Sequence, residues 1–298
     1  MNIAGVYPPI ATPFDSDGKL DAPALAANVR RWNETGLNGY VVAGSNGESA
    51  YLEDDEVLEA VRIVRETALP EQRVIAGTGR ESTTATVALT RAAAKAGAAA
   101  ALVITPCFYG GQMTPAALIR HYRTVADASP VPVIIYNVPK FTYLNLAVET
   151  VATLAEHPNI VGIKDSAGNI GQIINLLRCC PADFEVMIGN GPAYFSGLQA
   201  GAAGGILALA NVAPRECVAI RRLVLEGRYA EAREIHFRLM PVGMAVTSGF
   251  GVPGLKAAMD LLGYRGGDPR PPLLPADETT RATIRRILVD AGLLADAC

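Results

Sequence analysis

The sequence is poor in the residues that build metal and redox centres. Its three histidines, His121, His157 and His236, have no other histidine or cysteine three or four positions away. Each therefore reads as a surface or packing residue rather than a ligand. The five cysteines, Cys107, Cys179, Cys180, Cys217 and Cys298, contain no C-x-x-C pair. An odd number without that spacing points to reduced thiols and away from a disulfide framework or a zinc site. No apolar run reaches the roughly 18 residues that a membrane helix needs. Basic residues are scattered and the net charge is −3, which leaves no electrostatic footprint for nucleic acid. The opening "MNIAGVYPPIATPF" has neither a charged leader nor a transit composition, so the expectation is a soluble cytoplasmic protein. No G-x-G-x-x-G or Walker pattern occurs, and no repeat of 20 to 50 residues.

What is present is a chain of 298 residues, 50% hydrophobic and 18% charged, the balance of a globular protein with much buried surface. Short strand-like runs recur near Gly5 to Ile10, Gly39 to Ala43, Arg73 to Gly77, Ala100 to Thr105, Val131 to Tyr136, Ile160 to Lys164, Glu185 to Gly189 and Gly204 to Ala210. Between them the apolar spacing turns helical, as in "LEDDEVLEAVRIVRET" and "PAALIRHYRTVADA". Pro115 and Pro192 stand where a first helical residue belongs. Eight βα units predict parallel strands with helices outside, and runs such as "VPVIIY" fit strands covered on both faces. The expected fold is an α/β (β/α)8 TIM barrel over residues 1–225, with a C-terminal helical region over 226–298. A doubly wound open sheet is the alternative.

Functional groups in such barrels gather where strands run into the following loops. Of the strand ends from the second to the eighth, one carries an amine nucleophile, Lys164 in "NIVGIKDSAGN"; Tyr136 offers a phenol one strand earlier. A lysine in an apolar setting suits imine formation with a carbonyl, because desolvation disfavours its charged form. The imine then acts as an electron sink for making or breaking a neighbouring C–C bond, with Tyr136 in a position to move protons. The turn "GSNGE" (44–48) offers Ser45, Asn46 and backbone N–H groups that could cradle a carboxylate. Bland readings stand beside each of these. Lys164 could be a structural lysine paired with Glu48 or Asp165, Tyr136 a core aromatic, and "GSNGE" only a tight turn. "GNG" (189–191) and "GAAGG" (201–205) could instead hold a phosphate.

"GSNGE", "TPCFYGG", "IIYNVP", "VGIKDSAGN" and "FGVPGLKAAMDLLGY" follow in this order. Together they resemble the dihydrodipicolinate synthase / N-acetylneuraminate lyase family of class I aldolases. Within it, "GSNGE", "TPC", "ESTTATV", "KDSAGN", "ALANV" and "VPGLK" lean toward 4-hydroxy-2-oxoglutarate aldolase. The resemblance implies pyruvate bound as a Schiff base on Lys164, with Tyr136 shuttling protons. It further implies that Ser45 and Asn46 hold the carboxylate and that Ser166 and Ile206 line the pocket. It implies a homotetramer, a dimer of dimers, needing no metal or organic cofactor. The expected reaction is cleavage of 4-hydroxy-2-oxoglutarate, or a related 2-oxo acid, to pyruvate and glyoxylate. The alternatives are 4-hydroxy-tetrahydrodipicolinate synthesis, a sugar-acid aldolase or dehydratase, and a catalytically silent binding barrel.

Three departures from the family stand out. Phe108 replaces a second tyrosine that many members contribute across a subunit interface, leaving Tyr109 as the proton relay. Lys140 and Phe141 stand where the synthases carry an arginine two residues after the proline, which disfavours synthase activity. Tyr143 replaces a small residue, and its bulk would reshape the acceptor side.

Overall fold

A computed structural model describes residues 2–296; Cys298 lies outside the described residues. Eight parallel strands form one sheet: β1 (Gly5–Tyr7), β2 (Gly39–Val42), β3 (Arg73–Gly77), β4 (Ala100–Ile104), β5 (Val133–Asn137), β6 (Ile160–Asp165), β7 (Glu185–Ile188) and β8 (Gly204–Ile206). Their order is β1-β8-β7-β6-β5-β4-β3-β2. The two end strands meet through a parallel bridge between Pro9 and Val41, which brings the sheet round into the (β/α)8 barrel.

Three strands differ from the sequence reading by more than one residue, each for a physical reason. β1 stops at Tyr7 and β5 starts at Val133, because Pro8, Pro9 and Pro132 have no N–H to give a ladder. β8 stops at Ile206 and the chain tightens into a 3₁₀ turn over Ala208–Asn211. There Asn211 donates to the carbonyls of Pro9 and Ala208 and ties the turn to the end of β1.

Helices α1 (Ala22–Asn33), α2 (Asp54–Thr67), α3 (Thr83–Lys95), α4 (Pro115–Ala128), the short α5 (Pro139–Thr142), α6 (Val148–Ala155), α7 (Ile170–Cys179), α8 (Tyr194–Ala200) and α9 (Pro214–Leu225) follow the strands. Thr114 caps α4 and Pro115 opens it, as the sequence predicts. Pro192 does not open α8. It sits in a turn that Asn190 fixes by accepting the Ala193 N–H, and the helix begins at Tyr194. Gly227, at φ +76°, separates α9 from α10 (Tyr229–Met244) in the left-handed geometry that glycine tolerates. A π-helical turn (Ala245–Gly249), α11 (Gly251–Leu261) and α12 (Glu278–Asp290) complete the chain. No described helix is long and apolar enough to cross a membrane.

The strand period of two sorts the side chains into two cores. On β5, Val133 and Ile135 face the helices, whereas Ile134 and Tyr136 join Tyr7, Val41, Ile75 and Leu102 in the barrel interior. On β6, Ile163 packs outward among the helices. Its neighbour Lys164 therefore turns inward.

Candidate active site

Lys164 is the last inward residue of β6, and its Cα pairs with Tyr136 on one side and Met187 on the other. Only 2% of the residue is exposed. Its Nζ stands 4.1 Å from the centroid of the Tyr136 ring, close enough for the ring's negative face to attract an ammonium. The Tyr136 hydroxyl is in turn 3.3 Å from Ser45 Oγ. Three residues separated widely in sequence thus form one contiguous row of amine, phenol and hydroxyl.

Ser45 and Asn46, both half-buried, lie on a 3₁₀ turn, Ser45–Gly47, directly after β2. A cavity of about 20 Å³ opens between Gly44, Ser45 and Tyr136, enough for about one water molecule. Gly77 permits the close approach there, since a Cβ would stand 2.1 Å from the Ala43 carbonyl oxygen.

Ser166 follows β6, held by its N–H donating to the Asn137 carbonyl. Its hydroxyl is buried and has no hydrogen-bond partner among the described residues. Gly189, just past β7, makes the room: a Cβ there would lie 2.0 Å from Ser166 Oγ and 3.0 Å from Lys164 Cε. Ile206 is fully buried on the inner face of β8, in the same apolar cluster as Tyr136 and Met187.

Neither carboxylate that would make Lys164 a structural ion-pair partner is available. Glu48 pairs with Lys256, Nζ to Oε1 at 2.7 Å, both side chains 1% exposed. Burial pulls the Lys256 ammonium below the usual lysine range, with the Glu48 charge opposing. Asp165 accepts from Asn137 Nδ2, Gln172 Nε2 and the Ala167 N–H; burial raises its pKa against those hydrogen bonds.

The site thus gathers Lys164, Tyr136, Ser45, Ser166 and Ile206, with Asn46 alongside on its turn. Tyr109 is not gathered. It is 68% exposed on the loop after β4, its ring edge-on to Phe108, and Glu81 holds that loop by accepting the N–H groups of Cys107 and Phe108. After the neighbouring strand β5, Lys140 donates to the Thr247 carbonyl at 3.2 Å, and Tyr143 is 91% exposed in the left-handed region at φ +56°. Two participants escaped the sequence reading. Gly189 was legible only as part of a phosphate-like "GNG", although a small residue beside the strand-end lysine was a usable signal. Lys256 carried no signal beyond its motif, because its partner is distant in sequence.

Comparison with known proteins adds an independent finding. The chain matches the family model described as the dihydrodipicolinate synthetase family over residues 2–291. It is 38% identical over 285 residues to a 4-hydroxy-tetrahydrodipicolinate synthase of Methanothrix thermoacetophila, covering 95% of each chain. A protein of the same name from Exiguobacterium sp. is 36% identical over 280 residues, 94% of this chain and 95% of the relative. The solved dihydrodipicolinate synthase of Acinetobacter baumannii complexed with pyruvate superposes with a TM-score of 0.93 at 31% identity, over 98% of this chain and 100% of that one.

Proposed function

Because the chain belongs to the dihydrodipicolinate synthetase family, whose enzymes are of the class I aldolase type, we propose that its reaction runs through an imine between Lys164 and a 2-oxo acid, with pyruvate as the common half. The observation that carries this is the buried Lys164 amine 4.1 Å over Tyr136, with Glu48 engaged by Lys256.

In this reading Ser45 and Asn46 hold the pyruvate carboxylate, and Ser166 and Ile206 line the pocket. Lys164 Nζ adds to C2, the carbinolamine loses water, and the iminium forms. In the cleavage direction the 4-hydroxyl gives up its proton, the C3–C4 bond breaks, and its electron pair moves into the iminium to form an enamine. Protonation at C3 and hydrolysis then release pyruvate and restore the amine. Tyr136 carries the protons, and its contact with Ser45 connects it to the carboxylate turn.

For the other substrate half, the relatives' names support 4-hydroxy-tetrahydrodipicolinate synthesis, and they support it better than the 4-hydroxy-2-oxoglutarate cleavage expected from the motifs. The cleavage reading keeps one specific observation in its favour: the rim after β5 presents Lys140 and the exposed Phe141 where the synthases carry an arginine. A homotetramer is part of the same proposal. Exposed Phe108, Tyr109 and Tyr143 support it, and a sedimentation mass of one chain would count against it.

Incubation with pyruvate and borohydride should leave a reduced adduct on Lys164, absent in Lys164→Ala. Folded protein with no mass shift on that residue would sink the mechanism. Pyruvate release from 4-hydroxy-2-oxoglutarate, measured against product formation from pyruvate plus the synthases' second substrate, decides between the two readings.

A further inference from the structure

Outside the row of Lys164, Tyr136 and Ser45, a densely connected polar cluster adjoins the Ser45–Gly47 turn. Glu48 is the pivot. It ends the Ser45–Gly47 turn, begins the next (Ser49–Tyr51), and adopts left-handed φ 59° and ψ 35°. A non-glycine residue persists there only where its surroundings over-determine it. The two groups that hold its carboxylate come from the far end of the chain. Lys256 Nζ on α11 meets Glu48 Oε1 at 2.7 Å, and the Arg270 N–H donates to Oε2 at 2.8 Å. Lys256 also donates to the Asp268 carbonyl at 2.9 Å. The Arg270 guanidinium forks onto both oxygens of Glu56 at 2.7 and 2.6 Å and donates to the Tyr51 and Gly18 carbonyls. Both cations lie over the Phe14 ring, at 4.4 and 4.3 Å. Thr12 Oγ1 donates to the Gly47 carbonyl at 2.7 Å from the β1 side.

We infer that Lys256 through its ammonium and Arg270 through its backbone N–H are positioning residues for the reaction, acting on Glu48 to fix the turn that presents Ser45 and Asn46 to the substrate carboxylate. This rests on the reading of that turn given above. Stability alone does not require such charges, since apolar residues of the same shape commonly serve a buried pair's place as well or better. Two oxygens of one carboxylate, each held by a different part of the C-terminal segment, define the orientation of a left-handed pivot in a way apolar packing does not. Holding the carboxylate equally in ground and transition states affects substrate affinity more than turnover.

The test uses the full chain with pyruvate alone as probe, reading the half-saturating concentration for borohydride trapping, together with KM and kcat on whichever substrate is turned over. Lys256→Met should raise half-saturation and KM by roughly ten- to a hundred-fold, the scale on which small misplacements act, with kcat altered much less. Lys256→Arg should recover part of the loss. Should Lys256→Met fail to fold, the double variant Glu48→Gln with Lys256→Met leaves no buried charge unpaired, and Arg270→Met releases the guanidinium anchors on Glu56, Tyr51 and Gly18 that place its N–H on Glu48; each should show the same split. Folded variants that trap pyruvate with wild-type half-saturation, whatever their melting temperature, would overturn the inference. Wild-type protein that traps nothing would instead overturn the imine reading itself, so the two failures are distinct.

Discussion

Gly189 has no side chain because Lys164 and Ser166 occupy the space one would fill. An alanine Cβ would meet Ser166 Oγ at 2.0 Å, Lys164 Cε at 3.0 Å and the Asp165 carbonyl oxygen at 3.1 Å. Overpacking of this kind costs about 1–3 kcal/mol, and here the groups that must yield are Lys164 and Ser166, both in the proposed pocket. Gly189→Ala should therefore lower kcat/KM by at least about tenfold, the equivalent of 1.4 kcal/mol, while the protein still folds; wild-type kinetics would show that the lysine does not depend on this space. Lys164 itself was legible in the sequence because strand alternation and a strand end can be read locally. Its isolation from Glu48 was not, since the residue that claims Glu48 lies in a different part of the chain and the ion pair exists only once the barrel has closed.

At the level of elements, the eight βα alternations and the breaks at Gly227 and Thr114 follow from period and capping chemistry, both local. The strand ends misread at β1, β5 and β8 were set by proline and by the Asn211 turn, where ladder hydrogen bonds are traded for side-chain ones. One helix contact has a measurable pH signature. His121 on α4 bonds Thr83 at the start of α3, Nδ1 to Oγ1 at 2.9 Å, and its Nε2 is buried without a partner among the described residues. Burial pulls the imidazole from 6.5 down to about 4, with Glu81 opposing. Above pH 6.5 both folded and unfolded forms are neutral and the stability contribution is fully present. As pH falls from 6.5 toward 4 the unfolded chain takes up a proton that the folded one refuses, and about 3 kcal/mol is lost. Urea unfolding of His121→Gln should show a shallower fall in stability across that window than wild type; parallel slopes would remove His121 as the cause.

For the molecule as a whole, the reading of residues 226–298 as an appendix rather than an independent unit makes a direct prediction. Trp32, the single tryptophan, is fully buried on α1, donates to the Asn211 carbonyl at 3.1 Å and stacks on Tyr264 at 5.3 Å. It therefore reports simultaneously on the barrel and on the segment after α11. Its fluorescence and the far-ultraviolet circular dichroism should follow one denaturant transition; two separated transitions would mark the C-terminal helices as a unit that melts by itself. Composition foretold a large buried core, but this interlocking of first and last thirds is a property of tertiary packing that no local pattern carries.

The clamp on Glu48 also has a consequence in time. During synthesis the Ser45–Gly47 turn leaves the ribosome long before Arg270, whose N–H reaches Glu48 across 222 residues. At about 5–20 residues per second, the turn waits roughly 10–40 seconds for the backbone donor that completes its setting. A nascent or prematurely ended chain carries Lys164, Tyr136 and Ser45, yet lacks the part that holds the Ser45–Gly47 turn. The setting of the turn is thus complete only with the last stretch of translation.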